Sequence, residues 1–193
     1  TKGKLEEAMA AVKRMLAKYP RSTAVYNIKG AVEMALKDYG RAIETFKVAL
    51  QVDPSFAKAH MNLGLALAEL NSFDDAQVSY RKAIEIKPDF AEAYNNLGTL
   101  FKQKGELDRA LESYEKAIEI KPGFAEAYNN LGTLFKEKGE LKHAIESYEK
   151  AIEIKNYDSM YHFNRAIVQN LIGNLIESKN SYYRSIQLDP NNP

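Results

Sequence analysis

Four asparagines, Asn62, Asn96, Asn130 and Asn164, follow one another at intervals of 34 residues. A side-chain amide offers both donors and an acceptor, so it can satisfy a peptide unit of an extended chain without selecting its side chains. Asparagine has only middling helix propensity, and four in one register point to a task other than helix stability. The alternative is that these amides belong to a repeated pattern and bond water or a neighbouring helix. A net hydrogen bond contributes roughly 0.5–1.5 kcal/mol, so such a row suits weak or avidity-assisted binding of another polypeptide.

Other residue types offer less. Of the three histidines, His60 and His162 sit where aromatic rings stand in equivalent segments, which makes them packing residues, and His143 reads as solvated. No HExxH spacing and no glycine-rich phosphate loop occurs. Glu106, Glu112, Glu115 and Glu119 alternate with lysines in the manner of an ion-paired, water-facing helix surface. Cysteine is absent, so there is no thiolate site and no disulfide. We therefore expect no catalytic residue, no metal and no cofactor. The net charge of +1, from 27 basic and 26 acidic residues, gives no strong field to attract nucleic acid or anionic membrane. Twelve tyrosines suggest base stacking, but most recur at two fixed positions that a core would consume. No apolar run reaches the roughly 18 residues a membrane helix needs. The expected partner is a protein or peptide segment, with no nucleic acid and no membrane insertion, and the default compartment is the cytoplasm.

The elements that position these residues come from internal repetition. Residues 91–124 and 125–158 differ at only seven of 34 positions, and the same register extends to 57–90, 23–56 and 159–192. Numbering each unit 1–34, position 4 holds Tyr26, His60, Tyr94, Tyr128 and His162. Position 8 holds Gly30, Gly64, Gly98, Gly132 and Ala166; position 24 holds Phe46, Tyr80, Tyr114, Tyr148 and Tyr182. Alanine recurs at positions 20 and 27, and Pro54, Pro88, Pro122 and Pro190 stand at position 32, where Asn156 breaks the series. Apolar spacing at i, i+3, i+4 and i+7 predicts two helices per unit, A (as 91–104) and B (as 107–120). Gly105, Gly139 and Gly173 lie between them, where a helix end favours left-handed φ. Asn71 suits that role and Lys37 suits it less. Gly98 inside a helix costs about 1 kcal/mol relative to Ala, and close approach of the paired helix is the expected gain.

This period and pattern resemble the tetratricopeptide repeat (TPR) over essentially the whole chain. The resemblance implies an all-α, right-handed superhelical α-solenoid of antiparallel helix pairs, with A helices lining a concave groove. We expect one solenoid over 1–193: a half unit at 1–22 with a lone helix at about 4–17, then units 23–56, 57–90, 91–124, 125–158 and 159–192, eleven helices in all. We also expect it to be a piece of a longer protein, because it starts halfway through a unit and lacks a polar capping helix. The last unit is the least regular, with Arg165, Ser178 and Ser185 at positions usually small or apolar.

In this family positions 2, 5, 6, 9, 12 and 13 of helix A face the groove. The resemblance thus places Asn95, Asn96, Thr99 and Lys102, then Asn129, Asn130, Thr133 and Lys136, in a polar central tract flanked by Asn62 and Asn164. Met34, Met61 and Leu65 at one end, and Met160, Phe163, Ile167 and Leu171 at the other, would form apolar pockets for anchors; the alternative is that they pack between units. Capture of an acidic C-terminal tail is not expected, because position 5 has no Lys and position 2 of the central units is Glu92 and Glu126. The implied function is a protein-interaction scaffold. One rival is a substrate-recruiting arm of a larger glycosyltransferase, because the AEAYNNLGTLFK phrase is similar to repeats of O-GlcNAc transferases and bacterial TPR proteins. The other is end-to-end self-association.

Overall fold

A computed structural model describes residues 2–190. Among them are eleven α-helices and no strand: α1 (Lys2–Lys18), α2 (Thr23–Ala35), α3 (Tyr39–Val52), α4 (Ala57–Glu69), α5 (Phe73–Ile86), α6 (Ala91–Gln103), α7 (Leu107–Ile120), α8 (Ala125–Glu137), α9 (Leu141–Ile154), α10 (Ser159–Leu171) and α11 (Leu175–Leu188). They form two compact units, residues up to Leu100 and from Phe101 onward.

The three-residue turns between A and B helices explain the tight pairing. In the turn after α8, Gly139 has φ +78°, its N–H donates to Lys136 O at 3.1 Å, and Glu140 N–H donates to Phe135 O at 2.9 Å. This closes the helix with a left-handed residue that satisfies the last carbonyls. Lys37 and Asn71 adopt φ 60° at the corresponding place; asparagine tolerates that region, and at Lys37 the turn geometry overrides the side chain's own preference.

In the first unit α2 packs on α3, α3 on α4 and α4 on α5, with α1 against α2. In the second, α7 packs on α8, α8 on α9, α9 on α10 and α10 on α11. Alanines at positions 20 and 27 are fully buried, as are Phe46 and Tyr148, while Tyr80 is nearly so. The ring of Tyr148 lies where a Cβ on Gly132 would meet it at 2.8 Å, and Tyr80 stands in the same relation to Gly64 at 2.7 Å. Close approach is therefore what glycine supplies at position 8.

The last pair is built differently. The buried residues of α11 are Ser178, Ser181 and Ser185. Ser178 Oγ donates to Ala166 O at 3.0 Å and Ser185 Oγ to Ser159 O at 2.9 Å. Ser181 Oγ donates to Gln169 Oε1 at 2.7 Å and accepts from Arg165 Nη2 at 3.0 Å. Hydrogen bonds take the place of alanine packing here, which accounts for the irregular residues at these positions.

Candidate functional site

Each A-type helix of the α2–α3, α4–α5, α8–α9 and α10–α11 pairs packs against its B-type partner, and α4 and α8 also meet the preceding B-type helix and another A-type helix. On α8 the buried residues are Ala125, Ala127, Leu131, Gly132 and Leu134. Asn129, Asn130, Thr133 and Lys136 are half-buried. On α6, Asn95 is buried while Asn96, Thr99 and Lys102 are half-buried. Thr99 and Thr133 hydroxyls donate back to the carbonyls of Asn95 and Asn129 at 3.2 and 3.0 Å, and Thr133 also contacts the Tyr148 hydroxyl at 3.1 Å.

Two of the in-register amides, Asn62 and Asn164, are seen bonded between A-type helices. Asn62 Nδ2 donates to Asn27 Oδ1 at 2.9 Å, and Asn164 Nδ2 donates to Asn129 Oδ1 at 2.8 Å. In both cases position 6 of one unit meets position 5 of the unit before it, 35 residues apart. Lys102 Nζ reaches Glu137 Oε1 at 3.0 Å over the same separation. Asn130 also carries an interaction of its own. Asn96 differs. Its counterpart 35 residues earlier is Met61, which has no amide, and the Asn96 side chain makes no hydrogen bond among the described residues. Reading the row by its 34-residue period alone overlooked Asn27 and the fastening role of position 5; the recurring 35-residue separation of asparagines was the available signal.

The rings at position 4 are tied to the preceding loop. Tyr26 Oη donates to Pro20 O at 3.1 Å, and His60 Nε2 lies 2.9 Å from Pro54 O. His162 Nε2 lies 3.0 Å from Asn156 O. A carbonyl only accepts, so each Nε2 must carry the proton. Buried His162 leaves Nδ1 without a partner. Desolvation, reinforced by Arg165 and Arg184, holds its pKa below the ordinary value against the opposing pull of the Asn156 carbonyl and Asp158.

Among the apolar groove residues, Met61 and Leu65 are half-buried on α4. Met61 packs against the Ala83, Phe90 and Ala93 cluster and also lines an open cleft of about 430 Å³ with Phe56, Ala57, Lys58, Lys87 and Glu92. Phe163 packs edge-on against Tyr182 of its own helix pair, ring centroids 5.7 Å apart. Sequence reasoning missed Phe56, Lys58, Lys87 and Phe90 as neighbours of Met61. At positions 34, 2 and 31, they make the loops before α4 and α6 and the first turn of α4 part of this surface. Among the described residues no group of three or more His, Asp or Glu is arranged to hold a metal. No helix there is long and apolar enough to cross a membrane.

A family model described as TPR repeat matches residues 30–71, 66–105 and 98–139, and one described as Tetratricopeptide repeat matches 125–157. The crystal structure of MamA superposes with a TM-score of 0.71 at 26% identity, over 83% of this chain and 94% of that one. YrrB, described as a TPR protein with an unusual peptide-binding site, superposes with a TM-score of 0.64 at 18% identity, over 96% and 95%. PilF of Pseudomonas aeruginosa gives 0.80 at 20% identity, over 86% and 75%. These last two likenesses concern the fold alone. No curated protein shows a significant match to the sequence.

Proposed function

The chain belongs to the tetratricopeptide-repeat family, and on that premise we propose that it is an interaction scaffold whose A-type helices hold an extended segment of a partner protein. The observation that carries this reading is Asn96, a half-buried amide whose hydrogen-bonding groups have no partner among the described residues. It stands one helical turn from Glu92, which lines the open cleft. A partially desolvated amide in that state gains from a peptide unit that supplies both a donor and an acceptor. The engaged pairs play a supporting part: they hold adjacent A helices in register, so the open face is set before a partner arrives.

The absence of cysteine makes a direct test simple. Single-cysteine variants Leu65→Cys, half-buried on α4 one turn from Met61, and Lys142→Cys, exposed on α9, would carry a photo-crosslinker. Peptides selected from a random dodecamer display library should crosslink through the first position and not the second. Crosslinking confined to Lys142→Cys would rule this reading out.

A second reading, self-association, is favoured by one observation. Leu175, Ile176, Tyr183 and Ile186 of α11 are 65, 75, 64 and 55% exposed, and exposed apolar side chains grouped on one helix are what an interaction surface presents. Sedimentation velocity across a concentration series should show dimers that Ile176→Glu abolishes. A strictly monomeric mass at the highest concentration would exclude it.

A further inference from the structure

The Met61 cleft has a chemistry of its own. Its apolar lining is Phe56, Ala57, Met61 and Phe90, and about 430 Å³ is open to an entering side chain. Two cations stand at its rim. Lys58 is exposed and makes no ion pair among the described residues. Lys87 is also exposed without an ion pair, its ammonium 5.0 Å from the centroid of the Phe90 ring. The one carboxylate of the lining, Glu92, already has an interaction of its own. The first turn of α4 adds to the positive character, because Phe56 at its N-cap supplies no side-chain acceptor and the helix dipole points its positive end there.

We infer that this cleft takes a large apolar side chain flanked by an acidic side chain, both on an internal segment of a partner protein. The inference rests on the groove reading above and adds the chemistry of the segment. Apolar burial supplies the anchor, and the rim lysines select the carboxylate beside it through charge complementarity. An internal segment fits better than a chain end because the surface continues on both sides. Exposed Ala24 and Ile28 lie on α2, and half-buried Asn96 and Thr99 on α6. The acidic residues at position 2, which argue against capture of an acidic tail, begin only at Glu92; in the unit before it that position is Lys58.

The probe is a random dodecapeptide library with amidated C-termini, selected against the full chain. Enriched peptides should pair Leu, Ile, Met or Phe with a neighbouring Asp or Glu. Their affinity should fall at least tenfold for Lys58→Glu/Lys87→Glu, severalfold for Met61→Ala, and not for Lys142→Glu, with helicity unchanged in each. Raising salt from 0.05 to 0.5 M should weaken them about threefold or more. Enriched peptides that are neutral or basic, or that ignore Lys58→Glu/Lys87→Glu, overturn the acidic preference. If those peptides still crosslink through Leu65→Cys, the groove reading survives. A dependence on a free C-terminal carboxylate overturns the internal-segment assignment, and failure of any peptide to enrich overturns this inference outright.

Discussion

Asn62 on α4 donates its side-chain amide to the buried Oδ1 of Asn27 on α2, joining two A-type helices at 2.9 Å. Removing either side chain leaves a polar group in a site that water reaches poorly. Asn27→Ala should therefore destabilise the chain by about 1–2 kcal/mol. The double-mutant cycle with Asn62→Ala should return a coupling of about 0.5–1.5 kcal/mol. Urea unfolding measures both. Additive effects would mean that the bond contributes nothing to register.

Gly132 faces the ring of Tyr148, which is fully buried and cannot swing aside. Gly132→Val should lower stability by roughly 1–3 kcal/mol through overpacking, and Gly132→Ala should also destabilise despite alanine's better helix propensity. Thermal melts followed by circular dichroism test this. A Gly132→Ala variant as stable as the parent would contradict the close approach.

Lys37 holds φ 60° at an exposed turn where Gly105, Gly139 and Gly173 stand in other units. A side chain with a Cβ is strained in that region. Lys37→Gly should raise stability by about 0.5–1 kcal/mol, and the same change at an ordinary helical position such as Lys47 should lower it. Paired melting curves show the sign directly.

His162 is buried with its pKa held down, chiefly by desolvation. The unfolded chain therefore binds the proton more readily than the folded one. The stability associated with neutral His162 is present above the ordinary histidine pKa and is lost as pH falls through it toward the depressed folded value. Tyrosine occupies this position in three other units, and Tyr26 bonds the same type of carbonyl. His162→Tyr should flatten the fall in melting temperature between pH 7 and pH 5; an unchanged slope would assign that fall to other groups.

The repeat register was legible because each position follows from one helix meeting its immediate neighbour. Tyr148 over Gly132 and the left-handed turns lie within one unit, whereas the bonds of His60 and His162 to the preceding loop carbonyls go beyond the packing role their position predicts. The Asn27–Asn62 pair was not legible in that way. It depends on the stagger between successive A helices, which shifts the contact by one residue from the 34-residue period. The Met61 cleft escaped notice for a related reason. Lys87 and Phe90 belong to the loop before α6, whereas the groove positions were sought only along helix A. Phe163 is expected in a groove pocket, and the structure adds its edge-on contact with Tyr182.

That last pair has a thermal consequence. Apolar attraction fades on cooling, whereas hydrogen bonds do not share that dependence. The α10–α11 seam, closed by Ser178, Ser181 and Ser185, should hold its protection against amide hydrogen exchange near 5 °C better than the alanine-lined α8–α9 seam. Warming should reverse the order, so the chain end would be the segment that loosens in heat and stays fastened in the cold.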